Sequence, residues 1–283
     1  MNENVLNSLP EKPRLAVEQI RRSFTNMGGL AGMFITGSYA RGFVPPDDLD
    51  LIAIWDQPVS DTRRREIVTR CRAGRSGDPD TDHFRLHGVV PEFHFMAGKD
   101  QVRQMIANFC WNAELPPESD EDRAEGLLAS LADAVPVFDP EGLAAQWQRM
   151  LAEEYPREYQ ARRVYAQYSA ACRRMAHLER CAVRNDPLYE LKARIEFIEH
   201  LVRGTVSLNR RFYWGSKWSA QQVERLETKP DRAWERICGI LRNGYAAARI
   251  EMKSLALDTG DLVQASLPEV DVAFSMSVLR QIR

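Results

Sequence analysis

The sequence has few cysteines, no long apolar run and almost no net charge, and each shortage excludes a class of protein. The five cysteines among 283 residues include no Cys-x-x-Cys pair, which argues against a disulfide framework and a zinc knuckle. No stretch of about 18 uncharged apolar residues occurs, so no transmembrane helix is predicted. The N-terminal segment MNENVLNSLPEKPR lacks the basic start and apolar run of a signal peptide. We therefore expect a cytoplasmic protein.

Charge is close to balanced overall but unevenly distributed. Residues 1–150 hold 16 Lys and Arg against 23 Asp and Glu, whereas residues 151–283 hold 22 against 17. Within the second half, residues 201–250 hold 10 against 4. An acidic half is suited to binding cations and a basic half to binding phosphates, although two solvated surfaces would give the same counts.

Strand patterns are confined to the first half of the chain. Short apolar runs predict strands at residues 31–36, 49–55, 87–98 and 135–138. Helical periodicity predicts helices around them, at residues 11–28, 100–112, 121–133 and, from an Asp139 N-cap and Pro140, to about 153. After residue 155 the patterns are helical, at residues 158–183, 188–213, 219–228 and 231–257. We predict an α+β protein with two domains, 1–150 and 151–283.

The most informative segment is TGSYARGFVPPDDLDLIAI, residues 36–54. A predicted strand ends at Gly37-Ser38, and Asp48 and Asp50 begin the next strand. Because alternate residues of a strand point to the same face, the two carboxylates should project together. Carboxylates and phosphate oxygens are the ligands that Mg²⁺ prefers. Gly37 permits close approach of the backbone, and Ser38 offers an N–H and a hydroxyl to phosphate oxygens.

This segment resembles the nucleotidyltransferase superfamily of DNA polymerase β, whose pattern is an apolar strand, Gly-Ser and then Asp-x-Asp on the next strand. The matching positions are Gly37, Ser38, Gly42, Asp48, Leu49, Asp50 and Leu51. Asp47 departs from the pattern, since many members have Ser before the first metal-binding Asp. The resemblance implies a mixed β-sheet with flanking helices in a catalytic domain, followed here by an all-α helical-bundle domain that binds the acceptor substrate.

The resemblance also implies a third carboxylate on a neighbouring strand, where it binds metal or accepts the proton of the attacking hydroxyl. Glu92 in VVPEFHF is the best candidate, because an unpaired charge on an apolar strand is costly. A glutamate facing water on an edge strand is the alternative, and His94 is expected on the same face as Glu92. The spacing of His83, His87 and His94 fits no common zinc site.

Basic residues are expected to contact the triphosphate. Arg41 follows Ser38 in the loop, and Lys217 lies between Trp214 and Trp218 in the segment LNRRFYWGSKW. That segment looks like one found in an uncharacterised branch of these nucleotidyltransferases. A lysine is a compact charge suited to phosphate, and an aromatic neighbour is suited to stacking on a base or substrate ring. A surface lysine beside core tryptophans would give the same pattern.

The resemblance implies a metal-dependent nucleotidyltransferase with one or two Mg²⁺ ions held by Asp48, Asp50 and Glu92. Its donor would be a nucleoside triphosphate, with ATP favoured, and its acceptor a small molecule. Aminoglycoside and lincosamide nucleotidyltransferases share the two-part plan. Three alternatives stay open: an antitoxin-type enzyme that transfers AMP to a partner protein, a nucleic-acid polymerase, which the acidic first half disfavours, and a catalytically degenerate nucleotide-binding module.

Two weaker patterns lie in the helical half. Arg194 and His200 have the Arg-x5-His spacing of some ribonuclease toxins, which arises easily in an arginine-rich helical region. Three glutamates, Glu190, Glu196 and Glu199, would line a cleft or form a solvated helix face.

Overall fold

The chain forms two compact units, Met1–Glu154 and Tyr155–Arg283. The structure is a computed structural model that describes residues 9–43, 48–60, 86–118, 121–184 and 186–281, together with positions 62, 65, 66 and 69. Within the described residues, no helix has both the length and the apolar composition needed to cross a bilayer.

A four-stranded mixed sheet forms the centre of the first unit. Its strands are β1 (Leu30–Ile35), β2 (Asp48–Trp55), β3 (Val90–Gly98) and β4 (Val135–Phe138). The order across the sheet is β3-β2-β1-β4, with β2 parallel to β3 and β1 antiparallel to both β2 and β4. β1 is buried along its whole length, which explains its continuous apolar run LAGMFI.

Helices cover the sheet of the first unit. They are α1 (Glu11–Asn26), α2 (Gly37–Ala40), α3 (Lys99–Asn112), α4 (Glu121–Ala132) and α5 (Leu143–Glu153). Leu49 and Leu51 of β2 belong to the same buried cluster as Phe24 of α1. Because side chains alternate along a strand, Asp48 and Asp50 belong to the opposite face of the sheet. On that face Phe34 of β1 packs against Trp147 of α5, with ring centroids 5.4 Å apart.

The second unit is entirely helical in its described residues. Its α-helices are α6 (Arg157–Arg184), α7 (Pro187–Leu208), α8 (Ser219–Glu224), α9 (Ala233–Arg242), α10 (Tyr245–Ser266) and α11 (Ala273–Gln281). α6 and α10 pack closely, since the Tyr168 hydroxyl donates to the Ala256 carbonyl over 3.0 Å. A β-carbon built on Gly260 would lie 2.4 Å from that hydroxyl, so a glycine is needed at this crossing.

The predicted fold class is confirmed: a mixed sheet with flanking helices is followed by a helical unit. Several predicted boundaries are wrong. The helix predicted from Asp139 begins at Leu143, although Asp139 still caps it by accepting hydrogen bonds from the Leu143 and Ala144 amides over 2.7 and 3.0 Å. The helix predicted over residues 231–257 is two helices, because Asn243 and Gly244 are extended. α11 was not predicted.

Candidate functional site

Three carboxylates from two neighbouring strands come together at one end of the sheet. Asp48 and Asp50 occupy alternate positions at the start of β2, and Glu92 on β3 is the register partner of Asp50. One oxygen from each of the three side chains lies within 4.8 Å of the others, and all three residues are half-buried. The parallel pairing of β2 and β3 therefore brings a residue 42 positions away in the sequence directly beside Asp50.

Gly37 lies against the carboxylate of Asp50. A β-carbon built on Gly37 would be 1.7 Å from Asp50 Oδ2 and 2.6 Å from its Cγ, far inside van der Waals contact. Gly37 also has a φ of +63°, a conformation that is costly for any other residue. The Thr36 amide donates to the Asp50 carbonyl over 2.9 Å, which fixes the end of β1 to the start of β2. Glycine is required here on both counts.

The turn after β1 is attached to the turn before β4. The Thr36 hydroxyl donates to the Ser130 carbonyl of α4 over 3.0 Å, and Thr36 itself is fully buried. Arg41 Nε donates to Asp133 Oδ2 over 2.8 Å, and the Arg41 side chain is only 7% exposed. Between these two contacts, Ser38 is buried within α2. In this structure Arg41 thus contacts a carboxylate of its own chain, a contact that the sequence patterns did not predict.

The three carboxylates fit a small divalent cation. Oxygens on opposite sides of one Mg²⁺ lie about 4.2 Å apart, and a two-metal site spans a further 3.5–4 Å or so. The carboxylate oxygens, which lie within 4.8 Å of one another, are therefore close enough to bind the same ion. Like charges this close repel one another, so a bound cation would stabilise the cluster.

Lys217 lies in an aromatic-rich segment of the second unit. The buried Gln222 side chain accepts from the Trp214 amide over 3.1 Å and donates to the Phe212 carbonyl over 2.8 Å. Lys217 is exposed on a short 3-10 helix, Ser216–Trp218, with its Nζ 5.6 Å from the centre of the Trp218 ring. Lys217 is thus exposed beside an aromatic ring, and its contact with phosphate stays a prediction.

The Arg-x5-His pattern of the second unit has a structural explanation. Arg194 is 6% exposed and donates to the carbonyls of Ile240 and Asn243 over 3.0 and 2.7 Å, which caps the C-terminus of α9. His200 Nδ1 lies 2.8 Å from the Gln167 amide oxygen. Burial, and then the positive charges of Arg203 and Arg174, lowers the pKa of His200. Arg194 and His200 therefore contact different elements.

Two of the three glutamates considered for a cleft in the second unit, Glu190 and Glu196, are engaged in ion pairs. Glu190 pairs with Arg194, and Glu196 Oε2 lies 3.0 Å from Arg174 Nε.

Of the histidines considered for zinc, His83 and the side chain of His94 lie outside the described residues, as does Asp47. His87 Nε2 lies 2.9 Å from Gln19 Oε1. The shared face expected for Glu92 and His94 is likewise not described, and the β2–β3 register shifts at position 94.

Sequence reasoning missed Thr36, Ser130 and Asp133. Thr36 carried a weak signal, as a polar residue at the end of a buried strand. Asp133 carried none, because it is one of several acidic residues between positions 114 and 141 and lies 92 positions from Arg41.

The mixed sheet, the Gly-Ser turn after β1 and the carboxylates on β2 and β3 are consistent with the nucleotidyltransferase-type fold that the sequence resemblance implies for the first unit. A family model described as a domain of unknown function, DUF4037, matches residues 123–219. That match covers less than half of the chain and includes none of Asp48, Asp50 and Glu92. It does include Asp133 and Lys217.

Two solved structures are similar at low identity. One is a nucleotidyltransferase-like protein from Exiguobacterium sibiricum 255-15, with 13% identity, a TM-score of 0.40, and coverage of 90% of this chain and 80% of that one. The other is the spectinomycin adenyltransferase AAD(9) from Enterococcus faecialis with ATP and spectinomycin, with 12% identity, a TM-score of 0.38, and coverage of 87% and 98%. No curated protein matches the chain.

Proposed function

We propose that this chain is a metal-dependent nucleotidyltransferase. It would transfer a nucleoside monophosphate from a nucleoside triphosphate, with ATP the favoured donor, to a hydroxyl of a small-molecule acceptor. The observation that carries the proposal is the convergence of Asp48, Asp50 and Glu92 within 4.8 Å of one another. The backbone of Gly37 lies directly against the Asp50 carboxylate. An acidic cluster of this kind, next to a turn with approachable backbone, is suited to binding a metal–triphosphate complex.

Asp48 and Asp50 would hold the metal, because they occupy alternate positions on the same face of one strand. Bound Mg²⁺ would supply positive charge to the triphosphate and to the oxygens that attack and leave the α-phosphorus. Gly37 leaves room for the Asp50 carboxylate beside the turn, and Ser38 would contribute hydrogen bonds to the phosphate oxygens.

Glu92 would accept the proton of the acceptor hydroxyl as its oxygen attacks the α-phosphorus. The new phosphorus–oxygen bond replaces the bond to the β-phosphate, and pyrophosphate leaves with its electron pair. Glu92 is suited to this role because it comes from a different strand than the two aspartates. It can therefore contact the acceptor from another side of the site.

Lys217 is proposed as a cation for the phosphates, and the second unit as the part that selects the acceptor. The support is the excess of basic residues within 201–250 and the exposed position of Lys217 beside Trp218. Arg41 receives a different role from the one predicted, because its side chain is buried against Asp133.

The test is to incubate the purified protein with each of the four nucleoside triphosphates, Mg²⁺ and a panel of small hydroxyl compounds. Pyrophosphate release and labelled product are then measured. Release that depends on metal, triphosphate and a small acceptor supports the proposal. Label that appears on protein in a lysate would instead indicate AMP transfer to a partner protein. Binding of nucleotide without pyrophosphate release under every condition would indicate a degenerate binding module.

Glu92→Gln sharpens this test. If Glu92 accepts the acceptor proton, turnover should fall by about 100-fold or more while the affinity for the metal–nucleotide complex changes little. Turnover is followed by pyrophosphate release, and affinity by titration with a non-hydrolysable ATP analogue. Unchanged turnover would contradict the role given to Glu92.

A further inference from the structure

The helix that carries Gly37 and Ser38 is too short to be stable by itself. α2 has four residues, Gly37–Ala40, and one turn of helix costs more conformational entropy than its hydrogen bonds return. Something outside α2 must therefore hold the two residues in the position that the proposed function requires. Two side-chain contacts with the α4–β4 region, one at each end of α2, contribute to this in addition to the contact of Gly37 with Asp50.

At the N-terminal end, the buried Thr36 hydroxyl donates to the Ser130 carbonyl over 3.0 Å. At the C-terminal end, Arg41 Nε donates to Asp133 Oδ2 over 2.8 Å. The Arg41 amide in turn donates to the Gly37 carbonyl over 3.2 Å, so a shift of Arg41 would also move Gly37. Arg41 is 7% exposed and Asp133 is 26% exposed, which shields the ion pair from solvent more than a surface pair.

The region that receives these contacts is itself fixed. Val135 of β4 is the register partner of Ile35, the last residue of β1. The Ala134 carbonyl accepts a hydrogen bond from Gln148 Nε2 of α5 over 2.7 Å. Asp133 is therefore presented to Arg41 from a turn that the sheet and α5 both hold, and it acts on α2 from a fixed support.

We propose that Asp133 is a positioning residue that sets the affinity for the nucleoside triphosphate. It does so by fixing Arg41 and, through Arg41, the positions of Gly37 and Ser38. The proposal rests on the proposed function, because it concerns the same phosphate-binding turn. It separates two properties of the site. The carboxylates of β2 hold the metal, whereas the contact from Asp133 holds the turn that receives the phosphates.

The experiment compares Asp133→Asn with the wild type. Asparagine has nearly the same shape but removes the charge that pairs with Arg41. Affinity is measured for Mn²⁺ alone and for a non-hydrolysable ATP analogue with Mg²⁺. We expect the nucleotide affinity to fall about tenfold or more, as for a lost charge-assisted hydrogen bond, while Mn²⁺ affinity stays within about twofold.

A matched control is Glu141→Gln, which removes the pair between Glu141 and Lys99 at 2.9 Å in the same unit. It should change neither affinity. Asp133→Glu keeps the charge and should recover part of the nucleotide affinity. This variant also carries the comparison if Asp133→Asn does not fold. A purely structural contact would lower thermal stability but leave both affinities unchanged.

Three results would overturn the proposal. Unchanged nucleotide affinity in Asp133→Asn, or an equal loss of Mn²⁺ and nucleotide affinity, would refute the role of Asp133 and leave the proposed function intact. A folded wild-type protein that binds neither Mn²⁺ nor nucleotide would refute the proposed function and this inference with it.

Discussion

Acidic side chains are arranged differently in the two units of this protein. In the first unit Asp48, Asp50 and Glu92 converge on one another within 4.8 Å. In the second unit Glu190 and Glu196 pair with the arginines Arg194 and Arg174. The same residue types therefore lie beside like charges in the cluster of the first unit and beside opposite charges in these pairs of the second.

The difference shows why composition alone is a weak guide to a binding site. The excess of acidic residues in residues 1–150 was consistent with a solvated surface as well as with a cation site. Strand alternation brings the like charges of Asp48 and Asp50 to one face, and the pairing of β2 with β3 adds Glu92 beside them. Repulsion of this kind is a cost to the folded state, and such costs are typical of functional sites.

The largest effect is expected from Asp50→Asn or Asp48→Asn, which remove one charge from the convergent cluster while nearly preserving shape. Turnover should fall by about 100-fold or more, since a bound metal contributes several kcal/mol to the transition state. Initial rates of pyrophosphate release measure this. Asp56→Asn is the control, because Asp56 directly follows β2 and pairs with Lys99 at 3.1 Å. A variant of the cluster that keeps most of the wild-type rate would remove that residue from the site.

Gly37→Ala should be the next most harmful change. The added methyl group would lie 1.7 Å from Asp50 Oδ2, so the carboxylate must move. Gly42→Ala is a matched control, because Gly42 also has a positive φ, +75°, but a β-carbon added there would meet nothing within 4 Å.

Both alanine variants should lose about 1–2 kcal/mol of unfolding free energy from the left-handed backbone. Only Gly37→Ala should also reduce Mn²⁺ affinity, by about tenfold or more if Asp50 is displaced by 1 Å or so. Denaturant unfolding and Mn²⁺ titration give the two quantities. Equal Mn²⁺ affinity in the two variants would show that the contact between Gly37 and Asp50 does not shape the site.

In the second unit the expected effect is on stability. Arg194→Ala leaves the carbonyls of Ile240 and Asn243 without their donor and Glu190 without its partner, at a cost of about 3 kcal/mol. Lys192→Ala is the control, since Lys192 is 65% exposed and 3.9 Å from Glu196, and should cost less than about 1 kcal/mol. Denaturant unfolding measures both. RNA cleavage that Arg194→Ala abolishes without loss of stability would instead favour the nuclease interpretation.

The smallest effect concerns pH and His200. Burial lowers the pKa of His200 below its ordinary 6.5, with further lowering from Arg203, Arg174 and Arg173 and an opposing contribution from Glu196. The folded protein therefore prefers the neutral ring. Its contribution to stability is complete above about pH 6.5 and is lost as the pH falls toward the lowered value. Between pH 7.5 and 5.5 the melting temperature of the wild type should fall more than that of His200→Gln. Parallel curves would contradict this.

The sequence was sufficient for the elements and residues that local patterns specify. β1, β2 and β4 were predicted to within a residue or so, because each is an apolar run bounded by turn residues. The carboxylates of β2 were predicted from strand alternation. Glu92 was predicted only from the resemblance to nucleotidyltransferases, because neither strand's sequence specifies that β2 pairs with β3.

Contacts between distant positions were beyond the sequence. The Arg41–Asp133 and Thr36–Ser130 contacts join residues 92 and 94 positions apart, and arginine in a loop after Gly-Ser gives no sign of which carboxylate it will contact. The break between α9 and α10 was missed for a local reason. Asn243-Gly244 interrupts a region whose apolar spacing is otherwise continuous with a helix.

The central claim is that Asp48, Asp50 and Glu92 form one metal-dependent site, in which the two aspartates hold the metal and Glu92 accepts the proton of the acceptor. Mn²⁺ titration of the wild type and of the combined Asp48→Asn, Asp50→Asn and Glu92→Gln variant, with and without a non-hydrolysable ATP analogue, tests it most directly. The account predicts that the wild type binds Mn²⁺, that Mg²⁺ competes with this binding, and that nucleotide increases the Mn²⁺ affinity. The combined variant should fold but not bind Mn²⁺ at this site. Equal Mn²⁺ binding by the two proteins, or no binding by either with nucleotide present, would contradict it.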